Sequence, residues 1–120
     1  DSRGLYADDL DRSSWSEHAQ CLALLGDAVP PGRRDRVFAA LTSDPSLAKA
    51  TVYFSHYLFE VLREFNRTDL MLDRMSLWFD LRELGFRTTI EAPEPSRSDC
   101  HAWGAHPIFH YLATICGAGF

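Results

Sequence analysis

Between Thr51 and Phe65 the chain reads TVYFSHYLFEVLREF, with apolar or aromatic side chains at Val52, Tyr53, Phe54, Tyr57, Leu58, Phe59, Val61, Leu62 and Phe65. Those positions wrap nearly all round a helix of 3.6 residues per turn and do not alternate as a strand would. Such a helix has almost no polar face and asks for neighbours on every side. A chain of 120 residues supplies few of them. The expectation is therefore an all-α chain that forms one segment of a larger layered helical structure. No stretch shows a convincing period of two, and no internal repeat is present.

The punctuation around that run places about four further helices. SWSEHAQCLALLG opens with Ser14 and Glu17 at the S-x-x-E spacing of a capping box and closes at Gly26, which predicts a helix over about 15–25. After the break at VPPG, RRDRVFAALTSD forms a short amphipathic helix that stops before Pro45. Thr68 is the expected N-cap of a long helix through Leu84, ended by Gly85, and PIFHYLATICG forms a last helix closed by Gly117.

Composition excludes several classes of function. The formal net charge is -5 and the isoelectric point is near 5.4, and the twelve Lys and Arg form no stripe, so nucleic acid is not an expected partner. No segment reaches the roughly 20 apolar residues of a membrane span. The chain opens on Asp1 without a signal-peptide layout, as an excised or internal segment does. Cys21, Cys100 and Cys116 are odd in number and widely spaced, which favours reduced thiols and a reducing compartment such as the cytoplasm. Cys21 and Cys116 are expected as buried small hydrophobes.

Residues 88–111, TTIEAPEPSRSDCHAWGAHPIFHY, have a different character. Glu91 and Glu94 lie among Pro93, Pro95 and Pro107, which fix backbone angles and hold a loop at low entropic cost. Arg97 and Asp99 are placed to brace one another, and His101 and Trp103 offer a hydrogen-bonding imidazole beside a flat apolar face. A carboxylate, an imidazole and an indole suit a polyhydroxylated ring such as a sugar. The same residues also read as solvated loop carboxylates and an ordinary loop ion pair, and composition alone leaves both readings open.

EAPEPSRSDCHAWGAHPIFHYLA, preceded by GFRTT and upstream by GLYADD, SEHAQCLALL and VYFSHYLFEVL, resembles the C-terminal part of the catalytic domain of bacterial α-L-rhamnosidases, glycoside hydrolase family 78 and its close relatives. The resemblance runs over essentially the whole chain. It implies an (α/α)6 barrel of six helical hairpins, of which this chain forms the last two or three. It implies inverting hydrolysis of terminal α-L-rhamnosides, with a rhamnose-containing glycan or glycoside as partner. The base in that family follows a Thr-Thr pair, here Thr88 and Thr89, which carries the general-base role to Glu91. His101 would hydrogen-bond the sugar, Trp103 would line the pocket, and Arg97 and Asp99 would support them. The family's general acid has no counterpart here, so the isolated chain is expected to be catalytically incomplete. The alternative is a non-catalytic helical module for carbohydrate binding or assembly.

Cys100, His101, His106 and His110 give C-H-x4-H-x3-H, a spacing that can hold zinc. Pro107 interrupts it and no second ligand cluster accompanies it, so His106 and His110 are expected as helix-packing residues, with no metal and no cofactor. Tyr53, Phe54, His56 and Tyr57 are expected mostly in the core. An inner barrel helix without its full ring leaves an apolar face uncovered, which predicts self-association.

Overall fold

The computed structural model describes residues 3–93 and 95–118. The chain divides into two compact units, Asp1–Ala50 and Thr51–Phe120. The described residues hold five α-helices and no strand, as an all-α chain should: α1 Glu17–Leu25, α2 Arg34–Ser43, α3 Ser55–Glu64, α4 Thr68–Glu83 and α5 Pro107–His110. Short 3-10 turns precede α2 and α5, and α5 runs on into a π-helical turn, Tyr111–Ile115. Among the described residues no helix is long and apolar enough to cross a membrane.

In the first unit α1 packs on α2, and Cys21, Leu24, Val37, Phe38 and Leu41 are buried. The entry to α1 differs from the capping box. Ser16, not Ser14, is the N-cap and accepts from the Ala19 N–H, while the Ser14 hydroxyl turns back to Asp9. Hydrogen bonds from Ser14 and Ser13 hold the Asp9 carboxyl down to about 2. Glu17 is 1% exposed; its carboxylate accepts the Ala50 N–H at 2.7 Å and pairs with Lys49 Nζ at 3.1 Å. Its partner thus lies far along the chain, where a local pattern does not reach. Buried Gln20 is satisfied in the same manner, exchanging two hydrogen bonds with the Tyr6 backbone.

In the second unit α3 is shorter and more polar-faced than its sequence suggests. Residues 52–54 form turns, and Leu58, Phe59, Val61 and Leu62 face inward while Arg63 and Glu64 are exposed. The helix is five residues shorter than the run 51–65, which leaves Val52, Tyr53, Phe54 and Phe65 outside it. The exposed apolar side chains of this unit include Tyr53 ahead of α3, Phe79 and Leu84 of and after α4, and Ile108 of α5. Gly85 ends α4 with φ of +89° and Gly117 follows the π turn with φ of +67°, both in the region that glycine adopts without strain. Arg67, not Thr68, is the residue before α4, paired with Asp69.

Val52, Leu81 and Ile90 form a buried cluster with Leu77, Trp78 and Phe86 against it. The turn Ala102–Ala105 docks there: the Trp78 indole N–H donates to the Gly104 carbonyl at 2.7 Å. Cys21 is buried as expected, whereas Cys116 is exposed, because the π turn carries it past the packed part of α5.

We predict that Glu17→Ala costs about 1.5–3 kcal/mol in chemical denaturation, the range for hydrogen bonds to a charged group. Ser14→Ala, at an exposed position, should stay within about 0.5 kcal/mol. Equal losses at the two sites would restore the capping-box account.

Candidate functional site

Residues 88–101 fold back on themselves. The Glu91 N–H donates to the Ser98 carbonyl at 2.9 Å and the His101 N–H donates to the Thr89 carbonyl at 2.7 Å. The Thr89 hydroxyl returns a bond to the His101 carbonyl at 2.6 Å, and the Thr88 hydroxyl donates to the Asp99 carbonyl. The Thr-Thr pair is thus a clasp that closes the loop on both of its strands. With the backbone tied in this way, Glu91, Arg97, His101 and Trp103 are presented from one short segment.

Arg97 meets Glu91 rather than Asp99. Its guanidinium forks onto the carboxylate, Nε to Oε2 at 3.1 Å and Nη2 to Oε1. The fold-back supplies the reason: the Glu91–Ser98 bond brings residue 97 across from residue 91, while the Asp99 side chain is left exposed. Asp99 therefore contributes its backbone carbonyl to the clasp and is not Arg97's brace. The Glu91 side chain is only 12% exposed, against 85% for Arg97. Hydrogen bonding and charge from Arg97, with a smaller contribution from His101, hold the Glu91 carboxyl below its ordinary range. Glu94 lies outside the described residues.

The imidazole of His101 lies against the indole of Trp103, ring centroids 4.1 Å apart, and Trp103 in turn meets Tyr53 at 5.4 Å. Trp103 is 44% exposed and Tyr53 50%, so this row of rings offers open aromatic surface. The Nδ1 of His101 is buried without a hydrogen-bond partner. A cavity of about 540 Å³, almost wholly apolar, is lined by Met75, Trp78 and Phe79 of α4, by Thr89 and Gly104, and by Pro107 and Ile108 of α5, among others.

The zinc-like spacing does not assemble as written, since Cys100 is exposed and neither it nor His101 joins His106 and His110. Those two histidines instead meet His56 from α3, one ring nitrogen of each lying within 4.8 Å of the others. His110 is fully buried, and burial, followed by the charges of His56, His106 and Arg63, pushes its imidazole down to about 3. Burial likewise lowers His106, against the opposing effect of its bond to the Val52 carbonyl. His56 sits in an aromatic run that reads as core. The signal that marks it is a pair of four-residue spacings, His56 to Glu60 and His106 to His110, each on one helix face.

Comparison of the chain with family models, with curated proteins and with solved structures finds no match.

The Glu91–Arg97 pair carries a pH dependence of fixed sign. A depressed carboxyl contributes stability above its unfolded titration range, near pH ~4.3, and that contribution fades as the pH falls through the lower folded value. Carbon-detected NMR titration of Glu91 should give a midpoint below the ordinary glutamate range, and Arg97→Gln should return it to that range. An unchanged midpoint in the variant would remove Arg97 as the cause.

Proposed function

We propose that this chain is the C-terminal part of an inverting glycoside hydrolase of the α-L-rhamnosidase type, with Glu91 as its general base. Its helices are, on this reading, the last two or three hairpins of an (α/α)6 barrel. The observation that carries the proposal is the run TTIEAPEPSRSDCHAWGAHP, which resembles the base-bearing loop of those enzymes. The arrangement of the side chains supports it. A general base must be ionised when water arrives, and Arg97 keeps Glu91 so, at some cost in basicity. The carboxylate offers about four lone-pair sites, of which the guanidinium fork takes two. The remaining sites are free to accept a proton from water.

His101, Trp103 and Tyr53 supply the stacking surface on which a sugar ring rests. With Nδ1 of His101 covered, a hydrogen bond to a sugar hydroxyl falls to Nε2. Arg97 acts on the base and not on the sugar, and Asp99 acts through the loop closure. The acid that protonates the departing oxygen stands on another part of the barrel, about 6.5–9.5 Å from the base in an inverting site. Phe79, Leu84 and Ile108 are the apolar side chains that the rest of the ring, or a second copy, would cover. The isolated chain therefore binds sugar without turning it over and tends to self-associate.

In a chain carrying the complete barrel, Glu91→Gln should lower turnover of an aryl α-L-rhamnoside by ~10²-fold to 10⁴-fold with little change in binding. His101→Ala should instead weaken transition-state binding by about 1–3 kcal/mol. Normal turnover in Glu91→Gln would end the assignment of the base. Rhamnose binding by the intact barrel without hydrolysis would favour a carbohydrate-binding module.

A further inference from the structure

The histidine cluster lies apart from the Glu91 loop and has its own proton bookkeeping. His106 Nε2 is 2.9 Å from the Val52 carbonyl. A carbonyl only accepts, so that nitrogen carries the proton and Nδ1 holds a lone pair. His106 Nδ1 is buried and has no hydrogen-bond partner. His110 is 0% exposed, and its Nδ1 is 3.6 Å from Glu60 Oε1, too long for a hydrogen bond yet facing a group that only accepts. Protonation at Nδ1 is therefore favoured, and Nε2 of His110 holds the second lone pair. His56 Nδ1 stands 2.9 Å from that nitrogen, and moving its proton to Nε2 turns a third lone pair inward.

The His110 Nε2 lone pair has the His56 Nδ1–H as its donor, but the His106 Nδ1 lone pair is buried with none, and such an orphan is costly. Aromatic side chains stand beside the imidazoles: Phe59 lies 5.5 Å from His106 and 5.2 Å from His110, and Trp78 lies 5.5 Å from His106. These rings cover one flank of the cluster. His56 and His106 remain half-buried, which leaves a side from which an ion and a water can enter.

We propose that His56, His106 and His110 form a binding site for a divalent transition-metal ion, zinc foremost, with an open position left for water. Three neutral imidazoles are a borderline-soft nitrogen donor set that suits zinc, cobalt, nickel or copper and not calcium or magnesium. Bonds of about 2.0–2.1 Å in a tetrahedral site hold ligand nitrogens roughly 3.3 Å apart. The 2.9 Å pair must open slightly, and nitrogens that now lie within 4.8 Å of one another must close to that spacing, with His106 presenting Nδ1. One outer anchor is in place, the Val52 carbonyl on His106, and Glu60, itself paired with Arg63, stands 3.6 Å from His110 Nδ1, where a small shift would complete the second. A metal-ligating imidazole ordinarily donates its other N–H to such a carbonyl or carboxylate. This inference does not rest on the glycosidase reading.

The test is titration of the metal-stripped chain with Zn²⁺ by calorimetry and with Co²⁺ by visible absorption. The expected result is one ion per chain and the intense d–d bands of a low-coordinate nitrogen site. His56→Gln and His106→Gln should each lower affinity by more than the ~10-fold to 100-fold that loss of an outer partner costs, and Glu60→Gln should fall within that range. Cys100→Ser and His101→Gln should leave binding unchanged, which separates this site from the C-H-x4-H-x3-H spacing. Imidazole ¹⁵N shifts of the unsubstituted chain give a readout that needs no variant: His56, His106 and His110 should move together on adding Zn²⁺. No ion bound by the native chain, or binding retained in both histidine variants with those ring shifts unmoved, overturns the proposal.

Discussion

Among the described glycines of the unit Thr51–Phe120, Gly104 is the one pressed against its neighbours. A Cβ built there would stand 2.9 Å from the Ile90 carbonyl oxygen, 2.9 Å from Thr89 Cβ and 3.1 Å from Val52 Cγ1. Backbone and two β-branched side chains close the space, so no flexible group can give way. The requirement at this position is one of room. With only hydrogen on the α-carbon, the turn Ala102–Ala105 settles onto the Val52–Leu81–Ile90 cluster, and its carbonyl comes within reach of the Trp78 indole.

Two groups of side chains follow from that seating. On one side, docking the turn aligns His101 with Thr89, so that the loop 88–101 is clasped and Glu91 is set opposite Arg97. On the other, it starts α5 at the buried Pro107 and delivers His106 to the Val52 carbonyl and His110 to His56. Val52 takes part in both, since its side chain contacts the turn and its carbonyl fixes the tautomer of His106. The carboxylate site and the histidine site are thus separate in chemistry and share a foundation.

Much of the secondary structure was legible because its signals are local. The glycines at 26, 85 and 117 and the prolines at 45 and 107 mark real helix limits, and α2 and α4 fall where their patterns place them. What was not legible depends on contacts across the chain. Ser14 and Glu17 have capping-box spacing, yet Glu17 finds better partners in Ala50 and Lys49 once burial makes a satisfied carboxylate essential. Arg97 next to Asp99 reads as a brace, and only the fold-back of the loop shows that Glu91 is nearer. His56 and His110 are 54 residues apart, and nothing between them foretells that α3 and α5 will face each other's rings.

Gly104→Ala is the most direct test that both sites rest on this one seat. Overpacking against backbone costs about 1–3 kcal/mol and has no rotamer through which to relax. The account predicts that the variant loses hydrogen-exchange protection at the Trp78 indole N–H, with shifts at Glu91 N–H, His101 N–H and the imidazoles of His106 and His110 in the same spectrum. A variant of native stability, with Trp78 still protected and those resonances in place, would contradict it.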